Sequence, residues 1–204
     1  MKRNVSQWEI GMSKSRAITG IILAGGEGRR MGGQDKGWLQ LQGLPMIRRA
    51  IERLQPQVEQ IVISANRNLD AYAKLDARIY SDDTPYQGPL GGIAACLEHI
   101  DTDYGLIVPT DAPLIPINLV ESLSAHIPAK LILCRDEKRM QPLFGLYHRS
   151  LAASIRAFLA GGDRKLMLWC EQQDPEVVTI GDNSAFTNLN TPSELSEFEK
   201  KLHI

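Results

Sequence analysis

Cysteine is scarce and scattered. Cys96, Cys134 and Cys170 are odd in number, widely spaced and form no C-x-x-C pair. That excludes a disulfide framework and reads as three isolated small hydrophobes in a reducing cytosol. His99, His126, His148 and His203 show no metal-ligand spacing, so no zinc site is expected. An excess of one charge is missing as well. The net charge of −1 argues against a nucleic-acid partner, which calls for a basic surplus, so any phosphate must be held by local cations. No run approaches the ~20 apolar residues of a membrane span. Residues 1–16 are polar and mixed, without the ~7–15-residue apolar stretch of a signal peptide. They read as a disordered N-terminal extension, and the expected setting is cytoplasmic, away from any membrane. No linker, repeat or low-complexity tract divides the remainder, so residues 17–204 are expected to form one domain.

What is present begins with Ile18-Thr19-Gly20-Ile21-Ile22-Leu23, a β-branched apolar run that stops abruptly in glycines. Gly25, Gly26, Gly28, Gly32 and Gly33 follow, with Arg29, Arg30 and Lys36 among or just after them. A buried first strand opening into a loop that brings N–H groups and cations to a polyphosphate is the reading. An ordinary glycine turn with solvated cations is the plainer alternative. Two familiar loops fail. Gly28 and Gly33 have Walker spacing, but Gln34 stands where Lys is required. Gly26-Glu27-Gly28 is followed by Arg29-Arg30-Met31 before Gly32, one residue too many for a dinucleotide fingerprint, which disfavours a Rossmann oxidoreductase.

Along the chain, apolar runs alternate with helical spacing. Strands are expected at 19–23, 60–65, 78–80, 104–108, 130–134, 143–148 and 177–180, with charged residues 135–139 as a hairpin tip. Helices are expected at 44–54 with Pro45 in the first turn, at 69–75, 93–100, from Pro116 to 126, at 150–159, 164–170 and after Thr191. Thr191-Pro192-Ser193-Glu194 has the form of a capping box. Such alternation implies an α/β fold, three-layer and Rossmann-like, with a mostly parallel sheet and helices on both faces. Ligands in such sheets sit beyond the carboxyl ends of the strands. The loop at Gly25, Ser64 to Asn66, Asp82 and Asp111 each follow a strand, so they should share one rim.

Asp111 follows a buried strand inside Pro109-Thr110-Asp111-Ala112-Pro113. A carboxylate so placed can hold Mg²⁺ together with water and phosphate oxygens, or it can serve as a turn aspartate. Lys36 and Arg30 are candidates for stabilising charge at a transferred phosphorus. Of Asp82 and Asp83, one should be turn chemistry. Gly88-Pro89-Leu90-Gly91-Gly92 is either a phosphate-binding helix entry or a plain turn. Asn188 and Asn190 alternate, and so point the same way if the segment is extended.

Leu23-Ala24-Gly25-Gly26, Arg30-Met31-Gly32-Gly33-Gln34-Asp35-Lys36-Gly37, Gly88-Pro89-Leu90, Thr110-Asp111-Ala112-Pro113 and Asn188-Leu189-Asn190-Thr191-Pro192 resemble the molybdenum cofactor guanylyltransferases. The opening L-A-G-G is shared with nucleotidyltransferases at large; the later strings are far more specific. The resemblance implies the fold of the nucleotide-diphospho-sugar transferases and transfer of GMP from GTP, with Mg²⁺, to the terminal phosphate of a molybdopterin-type cofactor. It implies GTP contacts at Leu23, Ala24, Gly25, Lys36, Ser64, Asp82 and Asp111, Mg²⁺ on Asp111, and the pterin near Asn188 and Asn190. Relatives often carry Asn where Ser64 stands, so Asn66, two residues on, shares that candidacy. The partners implied are GTP, the pterin and, transiently, other molybdenum-cofactor proteins, with a monomer favoured. Rival readings are CTP as donor to the same pterin, a sugar phosphate as acceptor, and a non-catalytic nucleotide-sensing module. Guanine adds its own requirement: its two adjacent donors suit a carboxylate, for which Asp82 is the candidate and Asp83 the fallback.

Overall fold

Residue-by-residue alternation along the central strands sorts the side chains onto two faces. The computed structural model describes residues 17–26, 34–84, 87–181 and 183–202. Arg29, Arg30, the other loop residues from 27 to 33 and the 1–16 extension lie outside the described residues, as do 85, 86, 182, 203 and 204. Strand β1 (Ile18–Leu23) lies between β4 (Gln60–Ser64) and β6 (Tyr104–Pro109), parallel to both. Strand β5 (Arg78–Tyr80) extends the sheet beside β4. On the other side come β8 (Met140–His148), β7 (Leu131–Arg135) and β9 (Glu176–Thr179), giving the order β5-β4-β1-β6-β8-β7-β9. All neighbours run parallel except β8, which is antiparallel to both β6 and β7. The expected mostly parallel sheet is therefore what forms.

Ile22, Ile63, Leu106 and Val108 point to one face, which α1 (Met46–Leu54) and α4 (Leu119–Ser124) cover with Ile47, Ala50, Leu54, Leu119 and Leu123. Ile21, Val62 and Ile107 point to the other, under α3 (Pro89–Leu97), α5 (Leu151–Ala160) and α6 (Leu166–Glu171). Successive strand residues facing opposite layers is the signature of a sheet buried on both sides. Each layer removes apolar surface from water at roughly 25 cal/mol per Å². Among the described residues no helix is long and apolar enough to cross a membrane.

Several boundaries differ from expectation, each for a local reason. Pro45 is not in the first helical turn: it closes a small hairpin, β2 (Gln40–Leu41) with β3 (Leu44–Pro45), and caps α1, which starts at Met46. The turn of that hairpin uses Gln42 and Gly43 at φ 51° and 74°, both in the left-handed region a tight hairpin needs. The helix expected at 93–100 begins four residues earlier, at Pro89, after Gly88 at φ 67°. Gly91 and Gly92 belong to it, and nothing larger fits at either position. A Cβ on Gly92 would overlap the Ser64 hydroxyl, and one on Gly91 would lie 2.9 Å from Asp82 Oδ2. The expected 69–75 helix is only α2 (Leu69–Tyr72), and the Pro116-led helix starts late, at Leu119. Strand β8 is longer than 143–148 and joins β7 through a register shift after Leu133. Helix α7 (Pro192–Leu202) packs Leu195 and Phe198 against a separate small cluster of Leu41, Met46 and Leu189.

Gly145 shows how tightly β8 is packed: a Cβ there would stand 2.5 Å from the Ile132 carbonyl oxygen and 2.8 Å from Leu133 Cδ2. Backbone cannot give way cheaply, so Gly145→Ala is expected to cost about 1–3 kcal/mol. Gly181, with nothing within 4 Å of its would-be Cβ, should accept Ala within about 0.5 kcal/mol. Urea midpoints of the two variants against the parent measure the contrast.

Candidate active site

A cleft of about 1440 Å³ opens where β1, β4, β5 and β6 end. Leu23, Ala24, Gly25 and Gly26 line it after β1, Ser64 and Asn66 after β4, Ser81 and Asp82 after β5, and Pro109, Thr110 and Asp111 after β6. Parallel strands deliver their carboxyl ends to one edge, so four loops distant in sequence converge. Lys36, the α3 entry at Gly88, Pro89 and Gly92, and Asn188 and Asn190 complete the walls. The geometry thus brings together Leu23, Ala24, Gly25, Lys36, Ser64, Asn66, Asp82, Asp111, Asn188 and Asn190. Arg30 lies outside the described residues.

Lys36 is the hub. Its Nζ donates to Asp111 Oδ2 at 2.9 Å and to Asn190 Oδ1 at 2.6 Å. Asp111 and Lys36 are largely buried, with side chains 14% and 22% exposed, so water screens the pair less than it would a surface pair. The segment carrying Asn188 and Asn190 is stitched to the Asp111 loop by Leu189 N–H donating to the Asp111 carbonyl at 2.9 Å. Its far end is held by the α7 capping box. Glu194 Oε2 accepts from Asn190 N and Thr191 N at 2.6 and 3.1 Å, and Glu194 N donates to Thr191 Oγ1 at 3.2 Å.

Ser64 and Asn66 take different positions. Ser64 is buried under Gly92, and its carbonyl accepts from Ala24 N at 2.8 Å. Asn66 reaches across: its Oδ1 accepts from Asp82 N at 2.8 Å, and its amide nitrogen lies against Gly25. The adjacent aspartates also part company. Asp83 is exposed and pairs with Arg156 at 2.7 Å, while Asp82 faces the cleft. Among the described residues, neither the buried Asp82 Oδ1 nor the buried Thr110 Oγ1 has a hydrogen-bond partner. Burial pushes the Asp82 carboxyl above its ordinary 3.8, against the opposing pull of Asn66 and Arg156.

Sequence reasoning missed Arg67, Ser81, Thr110, Leu143 and Arg164, all of which line the cleft. Thr110 was within reach, since it precedes Asp111 at a strand end. Arg164 was not: it comes from the α5–α6 turn, where Asp163 Oδ1 accepts from the N–H groups of Arg164 and Lys165.

An α/β sheet with this cleft at its carboxyl edge is the architecture of the nucleotidyltransferases. The structure superposes at TM-score 0.77 on molybdopterin-guanine dinucleotide biosynthesis protein A from Archaeoglobus fulgidus, at 22% identity, covering 91% of this chain and 98% of that one. It also matches 4-diphosphocytidyl-2C-methyl-D-erythritol synthase from Anaerococcus prevotii at TM-score 0.74 and 13% identity, over 93% and 97% of the two chains. The family model described as MobA-like NTP transferase domain matches residues 20–177. A molybdenum cofactor guanylyltransferase of Shewanella halifaxensis is 43% identical over 182 residues, covering 87% of this chain and 91% of the relative. Another, from Shewanella amazonensis, is 42% identical over 193 residues, covering 92% and 98%. The chain belongs to the molybdenum cofactor guanylyltransferases of the MobA-like NTP transferase family, and it is a nucleotidyltransferase.

The raised Asp82 pKa has a stability consequence. A carboxyl whose folded pKa exceeds its unfolded value stabilises the fold only while protonated, and that contribution is lost as pH rises through the folded pKa. At neutral pH Asp82 is therefore a net burden. Asp82→Asn is expected to raise Tm at pH 7, with the gain shrinking as pH falls toward 3.8. Thermal melts of parent and variant across that range check it.

Proposed function

We propose that the protein transfers GMP from GTP to the terminal phosphate of a molybdopterin-type cofactor and releases pyrophosphate. The observation that carries this reading is the Lys36 ammonium, shared between Asp111 on the nucleotide side and Asn190 on the strap beside it. The acceptor phosphate brings its own anionic nucleophile. One of its oxygens attacks the α-phosphorus, the bond to the bridging oxygen breaks, and pyrophosphate departs with the electron pair. No serine, cysteine or histidine nucleophile is needed. The chain has to align two anions and offset their repulsion.

Lys36 sits between those anions as the cation, with Arg30 as the expected second one. Gly25 and its neighbours approach the triphosphate with backbone, Asn188 and Asn190 hold the pterin side, and Ser64 or Asn66 contacts the nucleoside. Asp111 suits Mg²⁺: Oδ2 is taken by Lys36, Oδ1 accepts no hydrogen bond among the described residues, and no three ligating side chains converge there. One carboxylate oxygen completed by water and phosphate oxygens is how Mg²⁺ is commonly held. When bound, the ion would supply charge neutralisation on the phosphates. Asp82, whose Oδ1 has no partner among the described residues, accepts from guanine N1–H and N2–H₂.

The deciding experiment measures pyrophosphate release with Mg²⁺ and GTP, CTP or ATP, with the pterin cofactor or a sugar 1-phosphate as acceptor. Release is expected with GTP and the pterin together. Equal turnover with the sugar phosphate and no response to the pterin would overturn the reading, and preference for CTP would assign the cytidylyl counterpart.

Lys36→Ala is expected to lose roughly 2 kcal/mol or more of transition-state stabilisation, about 30-fold in kcat/KM, with the melt still cooperative. Asp111→Asn should likewise cripple turnover while the fold persists, and a lost cooperative transition would make Asp111 structural instead.

Base choice gives a separate test. A buried acceptor left facing the adenine N1 lone pair penalises ATP, and sites of this kind discriminate by up to ~10⁴–10⁵. Asp82→Ala is expected to lower kcat/KM for GTP steeply and to narrow the gap to ATP. Equal falls for both nucleotides would mean that Asp82 does not read the base.

A further inference from the structure

Lys36 rides on a single 3-10 turn, Lys36–Trp38, which is too short to hold its own geometry. What holds it is Asp35, a carboxylate only 7% exposed. Asp35 Oδ1 accepts from Gly37 N at 3.0 Å and from the Tyr72 hydroxyl at 2.8 Å, and Oδ2 accepts from Asn68 Nδ2 at 2.9 Å. A carboxylate buried this far is tolerable only when its lone pairs are met, so these donors fix where Asp35 can sit. Tyr72 is fully buried, with its ring 5.3 Å from that of Trp38. Arg67 Nη2 adds a hydrogen bond to the Gln34 carbonyl at 2.9 Å. The segment 67–72 thus grips the turn from the residue before Asp35 onward.

Gly37 shows that the grip has no slack. A Cβ on it would overlap the Tyr72 hydroxyl oxygen and stand 3.3 Å from Cζ and 3.4 Å from Asp35 Oδ1. Asp35, Asn68 and Tyr72 do not line the cleft; their connection to it runs through Lys36. Asn66, the residue just before this segment, accepts from the Asp82 backbone N–H. We propose that Asp35, Asn68 and Tyr72 are positioning residues that set the Lys36 ammonium where the two phosphates meet. The inference rests on the reading of Lys36 as the cation between them. Geometry at a reacting centre is demanding, and a displacement of ~1 Å can cost ~10²-fold in rate. The Tyr72 hydroxyl is a fixed donor throughout the neutral range, because burial and the neighbouring Asp35 charge hold its pKa far above the ordinary value.

The test is a mutant cycle in the full chain, read by kcat, KM for GTP, equilibrium GTP binding and melting. Gly37→Ala pushes a methyl into the Tyr72 hydroxyl and is expected to lower kcat at least ~10-fold, with KM for GTP little changed. Tyr72→Phe removes one donor and should cost about 3- to 10-fold in kcat. In the double variant the colliding oxygen is gone, so kcat should recover to near the Tyr72→Phe level rather than fall by the product of the two losses. If Gly37→Ala fails to fold, Asn68→Gly takes its place. It deletes the exposed amide donor and suits the φ of 52° at that position, and the same selective fall in kcat is expected. Unchanged kcat in the single variants beside a crippled Lys36→Ala would overturn the positioning proposal, as would a double variant showing the full product. An active Lys36→Ala would overturn the cation reading instead.

Discussion

A single ammonium group, Lys36 Nζ, ties together two parts of the chain that lie 75 and 154 residues beyond it: the loop after β6, through Asp111, and the strap before α7, through Asn190. Each of those parts is anchored elsewhere. Asp111 stands at the end of the all-buried strand β6, and the strap is pinned by Leu189 to the Asp111 backbone and by Glu194 at the helix entry. The lysine therefore meets partners that are already placed. A positive charge between a carboxylate and an amide oxygen, mostly out of water, is a site where phosphate oxygens can compete for a cation whose position is fixed beforehand.

The sheet makes this possible by splitting its duties between two ends and two faces. Alternation along β1, β4 and β6 buries Ile21, Val62 and Ile107 on one side and Ile22, Ile63 and Val108 on the other, which locks the strands. Polar groups are then left to the carboxyl rim. The glycines of the α3 entry show how close the layers come: Gly91 and Gly92 let the helix touch Asp82 and Ser64. That contact dries the Asp82 carboxylate, which raises its pKa, and among the described residues Oδ1 has no partner.

Much of this was legible in the residues. β-branched runs marked the strands that hold the sheet, and Thr191-Pro192-Ser193-Glu194 announced a capping box whose hydrogen bonds are present. The rim followed from strand ends alone. Features set by tertiary contact were not legible. Gly91-Gly92 reads locally as a turn but lies within α3, and glycine is needed there because Ser64 and Asp82 leave no room for a Cβ. Pro45 looks like a helix opener and instead closes the β2–β3 hairpin, whose Gln42-Gly43 turn is a weaker signal than Asn-Gly. Leu143 and Arg164 reach the cleft from the far half of the chain, and no spacing rule connects them to Asp111. The separation of Asp82 from Asp83 required Arg156, which draws Asp83 away.

The small cluster of Leu41, Met46 and Leu189, roofed by Leu195 and Phe198, stands apart from the two large clusters of the sheet. Cooperative units with few buried apolar groups open at lower free energy than the core they rest on. The end of the chain that carries Asn188 and Asn190 therefore rests on a few apolar side chains rather than on the layers of the sheet. Thinning that cluster, as by Phe198→Ala, would loosen the seat of the strap while the two large clusters of the sheet stay intact.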